Sequence, residues 1–214
     1  DVFKAKLSSI KHRGPDGEGV WSNESCMLGH VRLSIIDLSS NGAQPMISNS
    51  GNILSFNGEI YNFKKIKERL KDNENYKSTS DTEVLLNLLD EKGTSDLNDL
   101  RGMFAFAYYN TKKEELILVR DQLGIKPLYY HVNNNRIAFG SEIKTILVDK
   151  EYKKGVNKLA LKEHLLLGFS LKGHTIFSGI NRLEPGSILR VTKQGVTKEK
   201  YFDMVNYVSH LEEE

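Results

Sequence analysis

Asn57 and Gly58 stand side by side directly after the apolar run Ile53-Leu54-Ser55-Phe56, which reads as a strand. A side-chain amide followed by an unhindered backbone N–H can aim two donors at one oxygen, the arrangement that stabilises a developing oxyanion in acyl transfer. Asn-Gly is also a common tight turn, because both residues tolerate positive φ. Arg32 offers a planar fork that grips a carboxylate. From sequence it reads equally as a surface arginine or an ion-pair partner of Asp37. Asp81 follows Ser80 at a helix start, where an acid can meet an ammonium group or complement the helix dipole. His30 reads as a satisfied structural histidine rather than a general base. Cys26, between Ser25 and Met27, reads as a small buried hydrophobe rather than a nucleophile. No His/Cys/Asp spacing fits a metal site.

These residues need elements to hold them. Residues 2–10 carry apolar positions at helical spacing (Val2, Phe3, Leu7, Ile10), and Gly14-Pro15 ends that segment. Residues 19–21 and 26–32 read as a strand pair around the turn Ser22-Asn23-Glu24-Ser25, and residues 32–38 as a loop or short strand. A strand over 53–57 precedes amphipathic helices over 61–70 and 80–92, the second with Ser80 as N-cap and Glu83 in the capping-box position. An antiparallel run follows at 104–110, 115–121, 128–132 and 136–140, then helix at 143–147 and 158–167. A hairpin at 188–191 and 196–201 turns on Lys193-Gln194-Gly195. Strands gathered at both ends with helices between predict an α+β fold.

The chain has 214 residues, enough for one substantial core, and a formal net charge of +2. No basic stripe interleaved with aromatics calls for a nucleic acid. The run Lys64-Lys65-Ile66-Lys67 reads as a solvated helix face. No apolar stretch is long enough to span a bilayer, and no signal-peptide pattern is present. One cysteine excludes an intrachain disulfide and fits a reducing, cytoplasmic setting.

Several segments agree in order and spacing with one family. His12-Arg13-Gly14-Pro15-Asp16-Gly17, Gly29-His30-Val31-Arg32-Leu33-Ser34-Ile35-Ile36-Asp37-Leu38, Gly42-Ala43-Gln44-Pro45-Met46, Asn57-Gly58-Glu59 and Ser80-Asp81-Thr82-Glu83 come first. Leu100-Arg101-Gly102-Met103-Phe104-Ala105-Phe106, the run from Arg120 to Tyr130, and Phe139-Gly140-Ser141-Glu142-Ile143-Lys144 follow. Together they resemble the glutaminase half of glutamine-dependent asparagine synthetases, a class II glutamine amidotransferase. The resemblance implies an N-terminal-nucleophile hydrolase fold, with two antiparallel sheets sandwiched between helices (αββα). It implies an amidotransferase domain over residues 1–200 and the start of a linker over 201–214, leading to a synthetase domain.

By the same resemblance, Arg32 holds the α-carboxylate of L-glutamine and Asp81 its α-ammonium, with Glu59 a candidate to share that polar duty. Leu33, Ser34, Ile35 and Ile36 line the pocket through backbone groups, while Asn57 and Gly58 form the oxyanion hole. His12-Arg13-Gly14-Pro15-Asp16 is scaffold. The nucleophile is a cysteine at the mature N-terminus, whose own α-amino group, with a pKa near neutrality, serves as base. This chain begins at Asp1, on the helical segment expected after that cysteine's strand. As written it is expected to hold the pocket without the nucleophile and to be inactive. No metal or cofactor is implied for the glutaminase step; ATP and Mg2+ belong to the synthetase domain. Aspartate is the implied acceptor, sugar acids of surface polysaccharides or a silent glutamine-binding or docking module are the alternatives, and a homodimer is compatible with the pattern.

Overall fold

Alternation of large and small side chains sets the architecture. In Phe104-Ala105-Phe106-Ala107-Tyr108-Tyr109, successive residues of one strand face opposite ways. Phe104, Phe106 and Tyr108 enter one hydrophobic cluster; Ala105, Ala107 and Tyr109 enter another. A computed structural model describes residues 2–71, 75–133 and 136–212. Asp1 and the last two residues of the expected linker lie outside the described residues.

The chain runs through α1 (Val2–Ser9), β1 (Gly17–Ser22), β2 (Met27–Arg32), β3 (Met46–Ile47), β4 (Ile53–Ile60), α2 (Phe63–Arg69) and α3 (Asp81–Lys92). It continues through β5 (Gly102–Asn110), β6 (Glu115–Arg120), β7 (Tyr129–Asn133), β8 (Arg136–Gly140), α4 (Lys144–Leu147) and α5 (Lys158–Leu167). Last come β9 (Ile180–Arg182), β10 (Ser187–Thr192), β11 (Gly195–Lys200) and α6 (Met204–Glu212). Strands β11-β10-β6-β5-β4-β3 form a six-stranded antiparallel sheet. The expected strand at 53–57 runs on to Ile60, so Asn57 and Gly58 lie within the ladder, opposite Ala105 and Phe104, and not in a turn. Met46–Ile47 and Ile180–Arg182 are strands too short to show a period in sequence. The segment read as linker is helical over Met204–Glu212.

One face of the large sheet, with Leu54, Phe56, Phe104, Phe106, Ile117 and Val119, packs against Ile66 of α2 and Val84, Leu85, Leu88 and Leu89 of α3. Each such side chain, fully buried, contributes roughly 1.5–3 kcal/mol. The run over 64–67 behaves as read: Ile66 is buried while Lys64 and Lys65 are exposed. The opposite face, with Ile53, Ala105, Ala107 and Leu118, packs against Leu28, Leu128 and Leu183 of a second layer. That layer comes in two pieces, the hairpin β1-β2 and the three-stranded sheet β8-β7-β9. Ile146 and Leu147 of α4 cover its outer side with Tyr152 and Phe177. The order is therefore helix, sheet, sheet, helix.

Arg120-Asp121 anchors the segment that follows β6. Buried Asp121 accepts the backbone N–H groups of Leu123 (3.1 Å), Ile125 (2.9 Å), Lys126 (2.9 Å) and Phe104 (3.2 Å). Arg120 donates to the carbonyls of Lys126 and Leu183, each at 2.7 Å, and of Gly124. α5 buries Ala160 and leaves Leu165 and Leu166 76% and 72% exposed. No helix among the described residues is long and apolar enough to cross a membrane.

Candidate functional site

Between the two layers lies a cavity of about 480 Å3, within the range of small-molecule sites, roughly 300–1,000 Å3. Its floor is Ala105 and Ala107, whose small side chains leave the space open. Its walls come from α1, β2, β4, the start of α3 and β8. Among the described residues the partner strand of β2 is β1 and that of β8 is β7, and residues of β2 and β8 line the cavity. Every residue assigned to the site from sequence lines this one cavity: Arg32, Leu33, Ser34, Ile35, Ile36, Asn57, Gly58, Glu59 and Asp81.

The segment 33–39 is a loop tied down by charge. Arg32 donates through Nη1 to the carbonyl of Ser39 (2.8 Å) and through Nη2 to that of Asp37 (2.5 Å). The ion pair with Asp37 weighed from sequence is thus replaced by a bond to its main chain. These bonds use two of the five guanidinium N–H groups and aim the rest. The Asp37 carboxylate accepts from the Ser39 hydroxyl (2.6 Å) and amide (2.8 Å) and from the Thr79 amide (2.9 Å). Those bonds, the Ser39 hydroxyl foremost, hold its pKa down at about 2. Asp16 accepts the Ser34 amide at 2.8 Å. A Cβ on Gly14 would lie 2.3 Å from the Val31 carbonyl carbon, so only glycine lets this turn lie against β2. His12 and Arg13 reach Glu142 at 2.9 and 3.4 Å, in keeping with the scaffold role read for them.

Ser80 caps α3 by accepting the Thr82 amide at 3.1 Å, which leaves the Asp81 side chain free to turn inward. There Asp81 accepts the Ile60 amide at 2.9 Å and is 3% exposed. Burial pushes its carboxyl pKa up, and the charge of Glu59 adds to the rise. An arriving cation would offset that cost. The capping box is corrected by the structure. Glu83 does not reach back to Ser80 but accepts the amides of Lys77 (2.9 Å) and Ser78 (2.7 Å), fixing the approach to α3.

Among the described residues, Asn57 Nδ2 is buried with no hydrogen-bond partner. Such a donor is costly to leave unpaired, so the site is poised for an incoming oxygen. Gly58 is held by close approach: a Cβ there would lie 2.1 Å from the Met103 carbonyl oxygen. His30 departs in part from the satisfied role read for it: the Phe56 backbone bonds its ring, but among the described residues its Nδ1 is buried and unpartnered. Cys26 lies outside the cavity lining, packs beside the second cluster, and has its thiol pKa pushed up to about 12 by burial. Sequence reasoning missed Gln44, whose side chain accepts the Phe56 amide at 2.7 Å, and the Ala105 and Ala107 floor. The period-two alternation of large and small residues was the available signal for that floor. No group of three or more candidate metal ligands occurs among the described residues.

The profile of the glutamine amidotransferase domain family matches residues 1–202. A relative named putative asparagine synthetase [glutamine-hydrolyzing] 2, from Methanocaldococcus jannaschii, is 36% identical over 97% of this chain and 45% of its own length. Asparagine synthetase [glutamine-hydrolyzing] 3 of Bacillus subtilis is 35% identical over 92% of this chain and 33% of its own length. The chain thus spans less than half the length of these curated relatives. In fold it is similar to the glutamine phosphoribosylpyrophosphate amidotransferase of B. subtilis, with a TM-score of 0.67 and 22% identity over 94% of this chain and 46% of that one.

Proposed function

This chain belongs to the glutamine amidotransferase domain family, homologous to the N-terminal glutaminase domain of asparagine synthetases, and from that premise we propose that its cavity binds L-glutamine for hydrolysis of the side-chain amide. One observation carries the reading. Arg32, Asn57-Gly58 and Asp81, from three separate segments, meet in one cavity with complementary chemistry. Arg32 takes the α-carboxylate, buried Asp81 the α-ammonium, and Asn57 Nδ2 with the Gly58 N–H takes the oxygen of the amide under attack. Glu59 and the backbone of residues 33–36 complete the wall.

The reaction asks for a nucleophile. No cysteine is found among the described residues that line the cavity, and Cys26 is kept protonated by burial. We therefore assign attack to a cysteine thiol that the 214-residue sequence does not itself contain, seated at the cavity between β2 and β8. Without it the described residues bind glutamine and do not turn it over. With it, sulfur bonds to the amide carbon, ammonia leaves carrying the proton from the thiol, and water hydrolyses the thioester to glutamate. By analogy with the relatives, the ammonia passes to a synthetase domain that uses ATP and Mg2+ to amidate a carboxylate, aspartate, in the cytoplasm.

Calorimetric titration with L-glutamine tests the reading. Arg32→Ala and Asp81→Ala are each expected to weaken binding at least tenfold, in line with loss of a charge-assisted bond. In any form that releases ammonia, Asn57→Ala lowers the rate by about two to three powers of ten. Absence of glutamine binding, or variants that bind as well as the parent, would overturn it.

A further inference from the structure

His30 and Asn57 stand on β2 and β4 and turn toward the same space. Leu28 and Ile53, on the same faces of those strands, both belong to the cluster between the layers. Ser55, two residues before Asn57, donates to the Gly29 carbonyl at 3.3 Å, so the two strands run close together here. Among the described residues, His30 Nδ1 and Asn57 Nδ2 are both buried without a hydrogen-bond partner, and both residues line the cavity.

The two atoms are of opposite kind. Burial holds the His30 pKa down at about 4, with the Phe56 backbone partly offsetting and Arg32 adding to the effect, so the ring is neutral at pH 7. The Phe56 backbone favours the protonated ring, as a carbonyl accepting a ring N–H does. With Nδ1 unpartnered among the described residues, we assign that N–H to Nε2, which leaves a lone pair on Nδ1. One wall therefore offers a free donor at Asn57 and a free acceptor at His30. A primary carboxamide is the complement of that pair, with a carbonyl oxygen to accept and an NH2 to donate. A carboxylate presents only acceptors.

We propose that His30 is a specificity residue that reads the amide nitrogen of glutamine, its Nδ1 accepting a substrate N–H while Asn57 donates to the carbonyl oxygen of the same group. The proposal rests on the assignment of Asn57 and glutamine to this cavity. It separates substrate from product: once the amide becomes a carboxylate, an oxygen lone pair faces the His30 lone pair and glutamate is disfavoured. Arg32 and Asp81 treat both amino acids alike.

Titration of the 214-residue chain with L-glutamine and with L-glutamate, in parent and variants, tests this. The parent should prefer glutamine about tenfold or more, the scale of one buried hydrogen bond gained against one left unmade. His30→Leu should bring the ratio toward one. His30→Asn, whose side-chain oxygen restores an acceptor near Nδ1, should keep it. In the parent, the nitrogen-15 resonance of His30 Nδ1 should move on adding glutamine and stay on adding glutamate, a readout that needs no variant to fold. An unchanged ratio in His30→Leu, or a resonance that answers both ligands alike, overturns the proposal. If the ratio responds to Asn57→Ala but not to His30→Leu, His30 alone is wrongly assigned. If the parent binds neither ligand, the reading of the cavity fails and this proposal with it.

Discussion

Asp37 shows how a single half-buried carboxylate can shape a cavity wall. Its pKa lies below the ordinary 3.8, at about 2, because the carboxylate accepts from Ser39 and Thr79. A depressed carboxylate stabilises the fold above its unfolded pKa, and that contribution is lost as pH falls through the folded value. The window here runs from about 4 down to about 2. Asp37→Asn should therefore lower the melting temperature at pH 7, with a gap to the parent that narrows at pH 3. Equal gaps at the two pH values would show that the carboxylate charge is not what holds residues 33–39 to the start of α3. Sequence left Arg32 open between a ligand grip and an ion pair, because its actual partners are the main-chain carbonyls of Asp37 and Ser39. Any residue carries such a carbonyl, so no residue type announces it.

At the scale of elements, the segment 121–127 is the clearest case of one side chain organising a backbone. Asp121→Ala would leave four N–H groups without their acceptor and Arg120 without its neighbouring carboxylate. A loss of at least about 3 kcal/mol is expected. Urea denaturation gives that number, and hydrogen exchange should quicken first at Leu123, Ile125 and Lys126. A loss under about 1 kcal/mol would mean that Arg120 alone orders the segment. What was legible in sequence was local: the α1 spacing, the Ser80 cap, and the strand over 104–110 that became β5. What was not legible joins distant residues. Asp81 meets the Ile60 amide 21 positions away, and Gln44 meets the Phe56 amide 12 away. The capping box failed for a related reason, since a glutamate that can reach three amides is claimed by the two that geometry favours.

The whole molecule sets one continuous sheet against a divided layer. Helix α1 lies across the division, with Phe3 and Leu7 packed over Gly29 of β2 and Lys6 paired with Asp149, just beyond α4, at 2.6 Å. Helix α5 turns Leu165 and Leu166 to water. Such an exposed apolar pair is expected to favour contact between copies of this chain in solution. With a net charge of +2 and an isoelectric point near 8.5, electrostatic repulsion between molecules is weak, and a short-range apolar attraction is expected to outweigh it. Static light scattering should return a negative second virial coefficient, most negative near pH 8.5, and a shift toward positive values in the double variant Leu165→Lys, Leu166→Lys. A coefficient unmoved by that change would acquit the helix. The chain's colloidal behaviour would thus be governed by two leucines that take no part in lining the cavity.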